Sequence, residues 1–397
     1  MIDQEDMAIE IFNIKSHDEN RPALKINERT ISYRELIDKA MLVASGLKDL
    51  GANRETVGLV GQRKASSYIG LLGIIFSGCS FTPINPKYNP TRISDILVGS
   101  QIKFLVGDAS DLSQLEKSDL SQIDACIIPE SNEKLKNEAR VLDQHQLTKI
   151  PALSEPEEIS SNDLAYINYT SGTTGIPKGV MINHHNLNTY LNNMNSIYKL
   201  TPGFRASQTF DLSFDPSISD IFFTWMKKGC LCVLPEQELL LPSDFIKREK
   251  ITFWNSVPSI ARFMLKTGNL EPGSFPSLTN SIFGGEQLPI HLADSWRLAA
   301  PNSTIENLYG PTETTIWITR YEYRKEDQYK SFHNNIVPIG KPFPFHTIEL
   351  IDQNNEKVGV SKKAEMVIAG PQVSVGYLNN KEKTADAFVT FEWDKSH

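Results

Sequence analysis

Leu164-Ala-Tyr-Ile-Asn-Tyr-Thr-Ser-Gly-Thr-Thr-Gly-Ile-Pro-Lys-Gly-Val180 decides how the rest of the chain is read. Its first part is apolar and β-prone, which predicts a strand. The strand runs into a stretch dense in hydroxyls and glycines with a single lysine. Gly172, Gly175 and Gly179 permit positive φ and close backbone approach, while Thr170, Ser171, Thr173 and Thr174 add hydroxyl donors. Lys178 supplies a point charge, so the segment suits a polyphosphate. A Gly/Thr-rich surface turn is the plainer alternative, and the preceding strand and lone lysine weigh against it. A P-loop would end Gly-Lys-Ser/Thr. This segment reads Pro177-Lys178-Gly179 and lacks the metal-binding hydroxyl after the lysine, which disfavours a Walker-type nucleotidase.

Outward from that segment, 397 residues predict two or three domains or subdomains. Lys and Arg total 40 against 48 Asp and Glu, a net charge of −8. A chain so balanced carries no broad footprint for nucleic acid or an anionic membrane, and partners of either kind are not expected. The acidic start Met1-Ile-Asp-Gln-Glu-Asp does not resemble an export signal, and the expected location is cytoplasmic. The uncharged run Ala65–Pro86 is broken by glycines, serines and a proline, so it predicts a buried helix feeding a strand rather than a membrane span. Four scattered cysteines argue against a disulfide framework and for a reducing compartment. Cys230-x-Cys232 is not a zinc spacing, and the adjacent His184 and His185 are poorly placed to share one ion.

Apolar runs at Val57–Val60, Phe104–Val106, Ala125–Ile128, Leu164–Tyr169 and Leu231–Leu234 alternate with helical stretches. That alternation predicts an α/β architecture with mostly parallel sheets flanked by helices. Ser32 followed by Glu35 is a capping-box pattern for a helix running to about Leu50. Glu130–Arg140 is polar and predicts exposed helix and connector, with a weak domain boundary between Asp108 and Asp163. Beyond Ser331–Pro344, the runs Thr347–Asp352 and Glu365–Gly370 alternate at period two and predict a small β unit.

The hydroxyl-rich loop, together with further groups of residues in order, resembles the adenylate-forming superfamily. That superfamily includes acyl-CoA synthetases, luciferases and the adenylation domains of nonribosomal peptide synthetases. Tyr33-Arg-Glu-Leu36 and Phe81-Thr-Pro-Ile-Asn85 fit early motifs of the family. Gly284-Gly285-Glu286 is similar to its adenine-side turn, Asn307-Leu-Tyr-Gly-Pro-Thr-Glu313 to its adenine and metal motif, and Glu365–Tyr377 to a late core motif. The likeness extends from about Ile31 to Phe391. It implies two αβ subdomains up to about residue 330 and the start of a small β-barrel-like subdomain over 331–397. Family members carry Tyr-x-Thr-Gly-Asp, a hinge and a small C-terminal lid domain with a lysine beyond this point. The expectation is therefore a large N-terminal core without its lid, with impaired turnover.

The resemblance implies AMP-forming activation of an acid by ATP with Mg²⁺. Lys178 and the hydroxyls from Thr170 to Thr174 would hold the outer phosphates, with Ser171, Gly172 and Gly175 shaping the loop. Gly285, Glu286, Asn307, Leu308, Tyr309 and Gly310 would border the nucleotide, Tyr309 stacking on adenine and Asn307 bonding its edge. Thr312 would reach the α-phosphate and Glu313 would ligate Mg²⁺. Phe214-Asp215 is similar to the amino-acid-activating branch, where the aspartate pairs with the substrate's α-ammonium group. The family's pocket positions fall on Asp215, Pro216, Ser219, Ser259, Ile282, Gly284, Leu308, Ile316 and Trp317. Asp215 could instead cap a helix starting near Ser217, with Asp211 as the fallback amine ligand. Trp317 and Tyr309 could be plain core, and Glu313 an ordinary helix-start carboxylate. Trp317 beside Ile316 and Leu308 fills side-chain volume, so glycine is expected before alanine or serine. The family's next step is transfer to a carrier-protein phosphopantetheine thiol. An acyl or aryl acid:CoA ligase core, and a nucleotide-binding module without turnover, remain the alternatives.

Overall fold

The computed structural model describes residues 7–135, 139–170, 177–330, 332–359 and 362–391. The chain folds as two compact units, one of Met1–Asp38 with His185–Val373, the other of Lys39–His184 with Ser374–His397. These divisions do not follow the composition change between Asp108 and Asp163, which lies wholly inside the second unit.

The second unit is built on a seven-stranded sheet. In spatial order its strands are Arg140–Leu142, Ala125–Ile127, Phe104–Gly107, Thr56–Val60, Ser80–Ile84, Leu164–Thr170 and Lys178–Asn183. All neighbours run parallel except the last pair. Ala65–Phe76 is the predicted helix, almost wholly buried, and it feeds Ser80–Ile84. A strand buried on both faces reads as a continuous apolar run, which is why these strands are visible in the sequence. Glu130–Arg140, expected to be exposed helix and connector, shows no helix among its described residues. The described part from Glu130 to Leu135 is irregular, and Arg140–Leu142 joins the sheet edge. Pairing Val141 and Leu142 onto Cys126 and Ile127 outweighs the helix propensity of a charged run.

The first unit carries a nine-stranded sheet whose central strands are parallel: Thr304–Tyr309, Asn280–Gly284, Phe253–Ser256, Arg205–Gln208 and Cys230–Val233. Trp296 packs on one face against Phe283 at 5.1 Å, edge-on, and against Trp254 at 6.0 Å. Each such pair adds about 0.5–1.5 kcal/mol beyond its area burial. Its indole N–H donates to Ser281 at 2.8 Å. Ser281 and Phe283 thus face this core, so the alternation along the strand turns Ile282 and Gly284 to the opposite face. The predicted β unit exists as an antiparallel ribbon, Thr347–Ile351 with Glu365–Ala369. It groups with the first unit rather than standing as a third body. No helix among the described residues is long and apolar enough to cross a membrane. The four cysteines are buried and form no disulfide with one another.

Candidate active site

In the second unit, Leu164–Thr170 and Lys178–Asn183 form an antiparallel hairpin with Thr170 directly opposite Lys178. The pairing sets the predicted hydroxyl-bearing and ammonium-bearing residues opposite one another at the last described rung of the ladder. Ser171, Gly172, Thr173, Thr174 and Gly175 lie outside the described residues. The Lys178 ammonium stands 5.0 Å from the centroid of the Tyr377 ring. It makes no ion pair among the described residues. An aromatic face restrains a cation without neutralising it, contributing about 0.5–2 kcal/mol according to exposure. Tyr377 is 7% exposed and is backed edge-on by Phe388 at 5.5 Å. Sequence reading misses Tyr377 as a site residue, since nothing local to it signals the distant lysine.

In the first unit, Asp215 precedes the buried helix Pro216–Met226, and Pro216 occupies its first turn. The capping role does not materialise: Asp215 has helical φ/ψ and makes no side-chain cap. Its Oδ2 instead accepts the Ile316 N–H at 3.2 Å, from a residue 101 positions away. Asp215 is 7% exposed. Burial pushes its carboxyl up to about 7; the Ile316 N–H opposes this, the Glu313 charge adds to it, and a Thr312 side-chain hydrogen bond opposes it again. No lysine or arginine pairs with it among the described residues. A buried carboxylate held by so few donors is costly unless a cation arrives. Asp211, the fallback, turns its Oδ1 on the amide and hydroxyl of Ser213 at 2.8 and 2.7 Å, a local turn.

The loop that meets Asp215 joins two antiparallel strands, Thr304–Tyr309 and Thr319–Tyr323, with Tyr309 opposite Thr319. Arg320 donates to the buried Glu306 at 2.5 Å, and the Tyr198 hydroxyl donates to the same carboxylate, bracing the strands beneath the loop. Glycine is required at Gly310, where a Cβ would fall 2.1 Å from the Ile316 carbonyl oxygen. Thr312–Thr314 then make one 3-10 turn carrying Thr312 and Glu313. Thr315 and Ile316 follow at φ 57° and 71°. Left-handed backbone at two β-branched residues costs about 1–3 kcal/mol each and persists only where the surroundings impose it. Here it turns the Ile316 N–H onto Asp215.

Gly284 and Leu308 are register partners, so Ile282, Gly284 and Leu308 share one sheet face. The Trp317 ring lies across Gly284, 2.5 Å from where a Cβ would stand. Trp317 is 1% exposed, and its indole nitrogen has no hydrogen-bond partner among the described residues. Ser219 is buried with its hydroxyl bonded to that of Tyr190 at 2.6 Å. Three other residues sit differently from expectation. Ser259 is exposed, and its amide and hydroxyl both donate to Glu286 at 3.0 Å. The two residues, expected in different sites, together cap the helix Pro258–Lys266, since Glu286 meets a free amide at its positive end. Asn307 is 3% exposed and donates to the Val337 and Pro338 carbonyls at 3.0 and 3.1 Å, so its amide N–H groups brace a neighbouring segment rather than facing outward. Gly285, by contrast, is exposed at φ 79°. Tyr309 is half-buried, and burial together with the Glu313 charge raises its hydroxyl.

His184 is buried, which drives its imidazole down to about 4, so it stays neutral. Among the described residues no three His, Cys, Asp or Glu converge on one point. Mg²⁺ needs no such cage, because it is commonly held by one or two carboxylates and by substrate phosphates. Glu313, with its charge felt at Asp215, fits that mode.

Comparison with known proteins places this arrangement. The family described as AMP-binding enzyme matches residues 13–378. Bacitracin synthase 3 of Bacillus licheniformis is 29% identical over 379 residues, covering 94% of this chain and 5% of that protein. The D-alanine--D-alanyl carrier protein ligase of Lacticaseibacillus paracasei is 36% identical over 258 residues, covering 63% of this chain and 49% of the ligase. The chain thus spans about half or less of these curated relatives. Among solved structures, the Vibrio cholerae adenylation domain AlmE in complex with glycyl-adenosine-5'-phosphate aligns at a TM-score of 0.86 and 27% identity. That alignment covers 99% of this chain and 75% of AlmE.

Proposed function

Because this chain belongs to the AMP-binding enzyme family, we propose that it activates a small neutral amino acid, glycine first and then alanine or serine, to its aminoacyl adenylate. The observation that carries this reading is Asp215: buried, raised to about 7, and without a cation among the described residues. An α-ammonium group supplies the missing charge, which a fatty or aryl acid does not.

In the reaction, a carboxylate oxygen of the amino acid bonds to the α-phosphorus of ATP, and the bond to the bridging oxygen breaks to release pyrophosphate. Such chemistry depends on alignment and charge neutralisation more than on an acid or base. Asp215 anchors the amine. Thr170, Lys178 and the loop between them take the outer phosphates, Tyr309 offers its ring to adenine, and the Thr312 hydroxyl, bonded to Asp215 in the ligand-free protein, turns to donate toward the α-phosphate once the amine occupies Asp215. One such donor at a site of developing charge is worth about 3–4 kcal/mol. Glu313 would hold Mg²⁺, whose charge offsets that of the phosphates. Trp317 lying across Gly284 supports a small side chain, as does the glycyl adenylate found in AlmE. The carrier-protein ligase relative supports a carrier protein as partner, and the family resemblance implies a phosphopantetheine thiol as acceptor. ATP as a substrate supports a cytoplasmic setting.

ATP–pyrophosphate exchange over a panel of amino acids tests the proposal. Glycine, alanine or serine should lead. Preference for Phe, Lys or Glu overturns the pocket reading, and exchange driven equally by acids lacking an amine overturns the role of Asp215.

A further inference from the structure

Gln372 lies in the late motif, far in sequence from Asp215 and from the Thr312–Trp317 loop, and it is fully buried. Its side-chain amide donates to the carbonyls of Trp317 at 3.0 Å, Thr314 at 3.2 Å and Thr315 at 3.3 Å. Its Oε1 accepts from Asn193 at 2.9 Å, and its carbonyl accepts the Thr315 hydroxyl at 2.7 Å. Its own N–H donates to His346 Nε2 at 3.1 Å, which leaves the proton on Nδ1, facing the Pro344 carbonyl at 2.8 Å. One side chain therefore gathers the carbonyls of three loop residues on either side of Ile316, and every group it offers is matched.

That density of bonds answers a question the loop raises. Two consecutive β-branched residues hold left-handed backbone, a conformation they abandon unless surrounding contacts impose it. A peptide unit freed to turn over at Thr315 or Ile316 would swing the Ile316 N–H away from Asp215. We propose that Gln372 is a positioning residue for the amine site, locking the Thr314–Trp317 turn in the left-handed form that aims the Ile316 N–H at Asp215. Its effect on turnover rests on the function proposed above, whereas its effect on Asp215 does not. Burial holds the imidazole of His346 below its usual range. The ionisable neighbours of Asp215 are Glu313, whose charge raises it, and the buried Tyr190, whose hydroxyl is raised well above its usual value.

Two substitutions test this in the ligand-free protein. Gln372→Met keeps the length of the side chain and removes its donors and acceptor. Thr315→Val removes only the hydroxyl bonded to Gln372, and Thr315→Ser restores it. Asp215 is followed by carboxyl ¹³C NMR across pH, with the Ile316 amide as second reporter. In Gln372→Met and Thr315→Val the Asp215 titration should move above its wild-type position and the Ile316 amide should lose its response to it; Thr315→Ser should behave as wild type. In pyrophosphate exchange KM for glycine should rise about tenfold, the worth of one misaligned hydrogen bond to a charged group, while KM for ATP stays within about threefold. An unchanged Asp215 titration in folded Gln372→Met overturns the proposal. Should that variant fail to fold, the shorter Gln372→Asn, whose amide no longer spans the three carbonyls, takes its place, and an unchanged titration there overturns the proposal. Absence of exchange in the wild-type protein would overturn the proposed function instead, and the NMR result would still decide the role of Gln372.

Discussion

Replacing Asp215 by asparagine should make the empty protein more stable at alkaline pH while abolishing amino-acid binding. The folded-state carboxyl stands at about 7 against an ordinary value of 3.8. At about 1.36 kcal/mol for each pKa unit, that gap means the ionised group opposes folding by about 4 kcal/mol. The sign follows from the direction of the shift: the folded protein holds this proton more tightly than the unfolded chain. The penalty is absent below about pH 4, grows as pH rises through about 4–7, and is complete above about 7. Asparagine carries no charge and its carbonyl can still accept the Ile316 N–H. Burying its NH₂ costs about 1–3 kcal/mol. The net expectation is a gain of about 1–3 kcal/mol near pH 8, vanishing or reversing near pH 4.5. Urea unfolding of both proteins at the two pH values measures it. Equal or lower stability of Asp215→Asn near pH 8, with the same pH dependence as wild type, would refute the argument that this carboxylate is buried without a counter-charge. The wild-type protein should also bind its amino acid about tenfold more weakly for each pH unit below about 7, because the amine must compete with a proton.

Lys178→Ala should weaken ATP binding by about tenfold or more, since a charge-assisted contact to phosphate is worth about 1.5–3 kcal/mol, and should leave the unfolding midpoint near wild type; calorimetry with ATP reads the first and thermal melts the second. Gly284→Ala places a methyl against the Trp317 ring and should cost about 1–3 kcal/mol of stability. It should also weaken glycine binding, and a variant that binds glycine as well as wild type would remove Trp317 from the pocket wall.

Much of the architecture is legible because it is local. Buried parallel strands announce themselves as apolar runs, and Ser32 receives the Glu35 amide at 3.2 Å as its spacing predicts. The candidate site is legible in parts: Thr170 and Lys178 face one another because two strands close in sequence pair directly with each other. Asp215 is identified by its resemblance, not by any property of its neighbours in sequence. Where reading fails, a long-range partner has intervened. Glu130–Arg140 carries helix-forming residues, yet its end is drawn into a sheet edge. Ser259 and Glu286 find each other across 27 positions, and Asn307 is turned onto a carbonyl 30 positions away.

What the amino-acid order determined by itself was the set of elements and the chemistry available: hydroxyls, one lysine and isolated carboxylates at turns. Tertiary structure decided which of these groups are buried, which are already satisfied, and which stand without a counter-charge. The reason is that periodicity and turn residues act over a few positions, whereas desolvation and hydrogen bonding depend on atoms brought together from anywhere in the chain. Asp215 is an ordinary aspartate in sequence. Burial and the charge of Glu313, only partly opposed by an N–H from a strained turn, make it a group that holds its proton near neutrality until a cation replaces it.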